Sequence, residues 1–137
     1  MNGTGILPDP DIDSAPYWEA LGDGRFEIQH CADCGNWTWP PRPICSGCHG
    51  ENMRWDAVSG VGEVHGWVVT HQVYAPSLAP LVPYTIVLAR IAEQDDILIP
   101  GRFMSDMQVY QGMPLRAVPT NVGGGLGVLE WKAAPAP

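Results

Sequence analysis

Two hydrophobic rhythms follow one another along this chain. In Ser14-Ala15-Pro16-Tyr17-Trp18-Glu19-Ala20-Leu21-Gly22 the apolar residues Tyr17, Trp18 and Leu21 fall on one helical face. Ser14 is placed to cap, Pro16 suits the first turn, and Gly22 or Gly24 ends the helix. So short a helix is marginal alone, so its apolar face must pack on its own domain or on a partner. From Arg25 the period drops to two. Arg25 to His30 alternates and predicts a strand. Val61 to His71 predicts a long strand with a bulge or bend at Gly66, which lets one strand serve two sheets. Tyr84–Ile91, Ile97–Phe103, Met113–Val118 and Leu126–Trp131 complete five strands. Ser105–Gln111 is a connector with room for one helical turn, and Gly123–Gly127 is read as a hairpin connection. The expected fold is mostly β: a short N-terminal helix, a cysteine-bearing ribbon, then a five-stranded OB-type barrel. The expected boundaries are a flexible acidic arm over 1–13, helix and ribbon over 14–56, the barrel over 57–132 and a flexible tail over 133–137.

Composition narrows this picture. The 137 residues include 16 glycines and 14 prolines, yet six tryptophans and 45% hydrophobic residues argue for a packed core. The formal net charge is −8, and Arg25, Arg42, Arg54, Arg90, Arg102, Arg116 and Lys132 are scattered without a basic run. Such a surface repels phosphate backbones at long range, which speaks against nucleic acid. The first residues carry neither a basic cluster nor an apolar run, and no stretch is long enough to span a membrane, so a reducing cytoplasm is the expected setting.

The chain's four cysteines stand as Cys31-Ala32-Asp33-Cys34-Gly35 and Cys45-Ser46-Gly47-Cys48-His49-Gly50, ten residues apart. A two-residue spacer lets one tight turn aim both sulfurs at a single ion, with Gly35 and Gly47 supplying positive-φ or close-approach positions. Structural Zn2+ held by Cys31, Cys34, Cys45 and Cys48 is the favoured reading. The same ligands would take iron, whereas a disulfide framework needs an oxidising compartment and a thioredoxin-type pair needs a βαβ setting. His30 and His49 flank the site and are read as neighbours of the ligands.

Other chemistry finds little support. All four cysteines are committed to metal, and no serine sits in a nucleophile-elbow pattern. His65 and His71 would point the same way on a regular strand, but read better as surface or barrel-mouth residues than as an acid/base pair. Gly123-Gly124-Gly125-Leu126-Gly127 lacks the Lys-Ser/Thr of a phosphate loop. A four-sulfur zinc site is closed to substrate. The chain reads as a binding or scaffolding unit, not a self-sufficient enzyme.

Taken in order, the aromatic-rich helix, the Gly-Arg-Phe strand, Cys-x-x-Cys-Gly, Pro40-Pro41-Arg42-Pro43-Ile44-Cys45, Ser59-Gly60-Val61-Gly62-Glu63-Val64, Pro83-Tyr84 and Gly112-Met113-Pro114-Leu115 resemble a known family. Its members are small acyl-CoA-associated proteins with a rubredoxin-like zinc ribbon followed by an OB fold, formerly a domain of unknown function. The resemblance covers residues 16–131. It implies a non-catalytic accessory subunit in a hetero-oligomer with a thiolase-superfamily enzyme, the specific expectation being a steroid side-chain (retro-)aldolase. In such complexes the thiolase-like chain carries the catalytic groups, while the zinc/OB chain holds the assembly together and helps seat the acyl-CoA ester. On this reading the four cysteines match the metal ligands. Arg42, Trp39, Tyr84 and Arg102 are candidates for CoA or partner contact. Tyr17, Trp18, Leu21, Tyr74 and Leu78 are candidates for the partner interface. The chain departs from the family at Glu93-Gln94-Asp95-Asp96, where members commonly have a Glu-Gly turn, and at Pro100-Gly101 inside the next strand. Coenzyme A is a polyanion and this chain is acidic, so its seating would rest on local arginines. The alternative is an OB module binding single-stranded nucleic acid through Trp37, Trp39 and Trp67.

Overall fold

A computed structural model describes residues 11–72 and 76–135. Tyr74 and the Leu78 side chain, both expected at a partner interface, lie outside the described residues, as do residues 1–10 of the expected arm.

The elements are α1 (Ala15–Gly22), β1 (Glu27–Cys31), β2 (Trp37–Thr38), β3 (Met53–Ala57), β4 (Val61–Thr70), a 3-10 helix (Pro76–Leu81), β5 (Tyr84–Ile91), β6 (Leu98–Phe103), β7 (Pro114–Gly123) and β8 (Leu126–Ala133). Strands β2-β1-β3 form a small antiparallel sheet. The other five close a barrel in the order β4-β5-β6-β8-β7, in which β6 and β8 run parallel and the other pairs antiparallel. This is the five-stranded OB arrangement. The β4–β5 register slips between Val64 and Gly66, the bulge expected near Gly66, and before it β4 also pairs with β7 through Val61–Glu63.

Local chemistry corrects several expectations. Ser14 makes no side-chain cap to α1. Asp11 organises the entry instead: its Oδ1 accepts from the Ser14 and Asp13 backbone N–H groups at 2.8 and 3.1 Å, and its carbonyl accepts from Ala15 at 2.9 Å. Residues 11–13 therefore belong to a hydrogen-bonded turn and not to a loose arm. Ser105–Gln111 forms no helical turn; its bends place Ser105 Oγ to accept the Ala133 N–H at 2.8 Å. The tail begins later than expected, because β8 runs through Ala133 and Ala134 still donates to the Pro114 carbonyl at 3.0 Å.

One hydrophobic core joins ribbon and barrel. Tyr17, Leu21, Phe26 and Ile28 pack in the same cluster as Val64, Val87, Ile99, Leu115 and Trp131. Trp131 is fully buried, with Phe26 edge-on at 6.1 Å. A Cβ at Gly101 would lie 2.6 Å from the Trp131 ring, which accounts for the glycine inside β6. The helix face is turned inward: Tyr17 and Leu21 are 2% and 0% exposed. The glycine hairpin between β7 and β8 docks on the end of α1, where a Cβ at Gly127 would collide with the Leu21–Gly22 backbone and one at Gly22 would lie 2.6 Å from the Gly125 carbonyl oxygen. Asn121 Nδ2 donates to the Gly22 carbonyl at 2.9 Å.

The turn that departs from the family pattern clasps the ribbon. Gln94 Oε1 accepts from the Trp37 N–H at 3.0 Å, and its Nε2 donates to the Trp37 carbonyl at 2.9 Å. Its amide thus continues the β2 ladder as a further peptide would. Replacing Gln94 with Ala leaves both Trp37 groups unpaired and should cost about 1–3 kcal/mol. Urea unfolding of the zinc-loaded protein, with an unchanged m-value, checks this.

Candidate metal centre

The two cysteine turns are built to one plan. Cys31 closes β1; its N–H donates to the Asn36 carbonyl at 2.9 Å and its carbonyl accepts from Gly35 at 3.0 Å. In the second turn Cys45 donates to the Gly50 carbonyl at 2.8 Å and accepts from His49 at 3.1 Å. Backbone N–H groups also face the first sulfur of each pair: Cys34 toward Cys31 Sγ at 3.5 Å, and Gly47 and Cys48 toward Cys45 Sγ at 3.2 and 3.5 Å. The position four residues after the first cysteine is left-handed in both turns, Gly35 at φ 80° and His49 at φ 63°. Gly47 serves the other role foreseen for it, close approach, since a Cβ there would meet the Asn36 side chain at 3.2 Å. That His49 carries the strained position was missed; the equal spacing of Cys31–Gly35 and Cys45–His49 is the signal that reveals it.

The four Sγ atoms all lie within 4.8 Å of one another, with Cys31–Cys48 at 3.7 Å and Cys34–Cys45 at 3.6 Å, and none is in a disulfide. A tetrahedron with metal–sulfur bonds of ~2.3 Å has edges of about 3.8 Å, so the donor set fits a structural zinc ion. Cys31 and Cys45 are buried, and Cys34 and Cys48 lie at the surface. The Cys48 backbone N–H is the main influence lowering the Cys45 thiol, to about 6, and the Cys34 N–H likewise lowers Cys31. At Cys34 the Asn36 N–H favours the anion, but desolvation and the thiols of Cys45, Cys31 and Cys48 together push it up to about 12. Four sulfurs this close resist holding four negative charges unless a cation lies between them. Zinc would be held by all four as thiolates, and its role there is to cross-link the two turns.

Around the sulfurs stands a polar frame the sequence did not announce. Asn36 Nδ2 lies 3.8 Å from Cys45 Sγ and donates to Ser46 Oγ at 3.0 Å, and the buried Thr38 hydroxyl meets Ser46 Oγ at 3.1 Å. His30 is no ligand: its ring stacks on Trp37 at 3.8 Å, Nδ1 meets Asp56 Oδ2 at 2.8 Å and Nε2 meets the Gly35 carbonyl at 3.1 Å. The His30 hydrogen bond, then Arg54, hold the Asp56 carboxyl below its usual range.

The remaining candidates fall in separate places. Buried Gln29 grips the Arg42 backbone at both ends, 2.7 Å to N–H and 2.7 Å to carbonyl, and Arg42 itself is exposed. Trp39 lies beside Tyr17 at 5.9 Å and lines an apolar cavity of about 380 Å³ with Trp18, Pro41 and Leu129. Tyr84 and Arg102 come together in another cleft, of about 320 Å³, with Thr85, Phe103 and Ser105. Behind it Arg102 Nε is 3.8 Å from Glu130, a buried carboxylate that accepts from the Thr120 hydroxyl at 2.8 Å. Burial of Tyr17 and Leu21 leaves Trp18 as the helix's half-exposed aromatic. The two histidines do not act together: His65 sits in the β4 bulge with Nδ1 accepting from Arg90 at 2.9 Å, and His71 follows the strand's end.

Residues 18–54 match the family model described as "ChsH2, rubredoxin-like zinc ribbon domain". This segment is similar to a ChsH2-type zinc ribbon. A relative from Thermomonospora curvata named "Probable enoyl-CoA hydratase alpha subunit" is 31% identical over 114 residues, 80% of this chain and 34% of the relative. The chain thus spans about a third of that relative's length. A solved structure described as "Ltp2-ChsH2(DUF35) aldolase" matches with a TM-score of 0.82 at 24% identity, over 93% of this chain and 99% of the matched one. A DUF35 protein of unknown function from Sulfolobus solfataricus matches at TM-score 0.60 and 13% identity, over 90% and 86% of the two chains. Ribbon and barrel together have the DUF35 fold.

Purified protein should carry one zinc per chain and show no visible iron–thiolate band, as read by elemental analysis and absorption. Cys45→Ser should lose the metal, and chelation should lower the melting temperature of the whole chain because ribbon and barrel share a core. In the zinc-loaded protein His49→Gly should relieve left-handed strain and stabilise by about 1 kcal/mol, seen as a small rise in Tm.

Proposed function

We propose that this chain is a non-catalytic accessory subunit that binds a thiolase-superfamily enzyme acting on acyl-CoA esters, with a steroid side-chain (retro-)aldolase complex as the specific reading. The observation that carries it is the likeness of nearly the whole chain to a chain of an Ltp2-ChsH2(DUF35) aldolase, joined to a ChsH2-type ribbon whose sulfurs are all directed at one ion. A closed four-sulfur site offers no position for water or substrate. Free thiols suit the reducing cytoplasm in which such a complex would work.

The Tyr84–Arg102 cleft is our choice for helping to seat the CoA thioester. It brings a guanidinium, a phenol and the hydroxyls of Thr85 and Ser105 to one opening. Arg102 Nε donates to Met104 Sδ at 3.2 Å and lies 3.8 Å from Glu130, which leaves the terminal nitrogens of the guanidinium for an anionic ligand. Arg42 and Trp39 lie away from this cleft, and we assign them no part in it.

Affinity purification of the tagged chain from its native host, with mass identification, should recover a thiolase-superfamily protein. The isolated chain should turn over no acyl-CoA ester. Recovery of no such partner, or turnover by the chain alone, would overturn the reading. In the reconstituted complex Arg102→Gln should raise KM for the CoA ester about tenfold, as loss of one charge-assisted hydrogen bond implies, with kcat little changed.

A further inference from the structure

Strand β4 outruns the barrel. It pairs with β5 along its length, but with β7 only through Val61–Glu63, and the last bonds on that side link Val64 with Gly112 and Met113. Beyond Val64 no strand among the described residues pairs with its free edge, and β5 itself joins β6 only from Ile86. Gly66–Thr70 is therefore an arm with one open edge, backed by β5 and β6 over Gly66–Val68 and two-stranded only at its tip, where Val69 and Thr70 pair with Thr85 and Tyr84. Successive strand residues face opposite sides, yet Trp67, Val68 and Val69 are 43%, 62% and 48% exposed, so β4 itself is open to solvent on both faces here.

Soluble proteins guard such an edge with lysine, proline or inward charge. This one does the reverse. The 24 residues from Gly66 to Ala89 contain no Asp, Glu, Lys or Arg, in a chain that is 16% charged. Depletion of charge marks the core of an interface, and an open edge with unpaired N–H and C=O groups selects one kind of occupant, an extended strand. The arm also ends at the proposed CoA-seating cleft, since Thr70 pairs with Tyr84.

We propose that the free edge of β4 over Gly66–Thr70 docks a β-strand of the thiolase-like partner by sheet extension. This rests on the accessory-subunit reading above. It assigns the partner contact to the arm.

The test uses the thiolase-superfamily chain identified by co-purification, expressed and recombined with the full-length zinc-loaded protein. V68K/V69K should weaken binding by tenfold or more with zinc content and circular dichroism unchanged, while Ile44→Lys on the ribbon should not. Amide hydrogens of residues 66–70 in the wild-type chain should gain protection from exchange on complex formation, a readout that does not depend on any variant folding. If the wild type binds the partner, V68K/V69K binds equally and these amides gain no protection, the edge proposal fails and the accessory reading stands. If the wild type alone is a dimer that V68K/V69K converts to monomer, a second copy is the occupant and the proposal fails. If no thiolase-superfamily chain is recovered, both readings fail together.

Discussion

Everything in the ribbon's outer half depends on four sulfurs meeting at one point. Between Ala32 and Gly50 only Thr38 and Cys45 are buried; the rest is exposed or half-exposed. Two turns with so little apolar surface cannot hold each other by burial, and their close thiols repel once ionised. A tetrahedral cation reverses that sign, converting crowding into a cross-link worth on the order of 10 kcal/mol or more. Asn36, Thr38 and Ser46 then fix the relative orientation of turns that the ion has already brought together.

That cross-link does not act on an isolated module. The inner half of the ribbon lends Ile28 and Phe26 to the same core as Trp131, and α1 lends Tyr17 and Leu21. Gln94 adds a polar clasp, and the glycine hairpin lets the β7–β8 turn reach the backbone of α1 without side chains intervening. The helix therefore serves as a lid on its own barrel. A boundary near residue 56 is a change in architecture, not a gap in packing.

How legible this was depends on the kind of force involved. The metal ligands could be read because thiolate geometry restricts spacing so tightly, and β5 emerged with its true bounds because an apolar β-branched run between turn residues has few alternatives. Strand ends were harder: β7 reaches Gly123 because its Val118–Gly123 half is held by β8 across the barrel, a pairing invisible in local pattern. The cap was assigned to Ser14 when Asp11, three residues earlier, closes the turn with both its carboxylate and its carbonyl. Gly101 looked like an irregularity because its cause, the Trp131 ring, lies thirty residues away in sequence. The common direction that a regular strand would give His65 and His71 is lost for a related reason: alternation along β4 holds only while the register does, and the bulge falls at His65 itself.

The reactive side chains of the chain are largely spent on structure. The cysteines face one ion site, His30 is held between Asp56 and the Gly35 carbonyl, and His65 accepts from Arg90. What the fold leaves available are surfaces of opposite character. Charge is confined to the segments before Gly66 and after Ala89, and the open β4 edge over Gly66–Thr70 lies in the uncharged stretch between them. A strongly acidic exterior keeps copies of the chain apart through mutual repulsion, whereas an uncharged strand edge incurs no such penalty on meeting another protein. That edge ends beside the cleft that Arg102 lines, so a strand added there would bring a partner's own surface to the guanidinium.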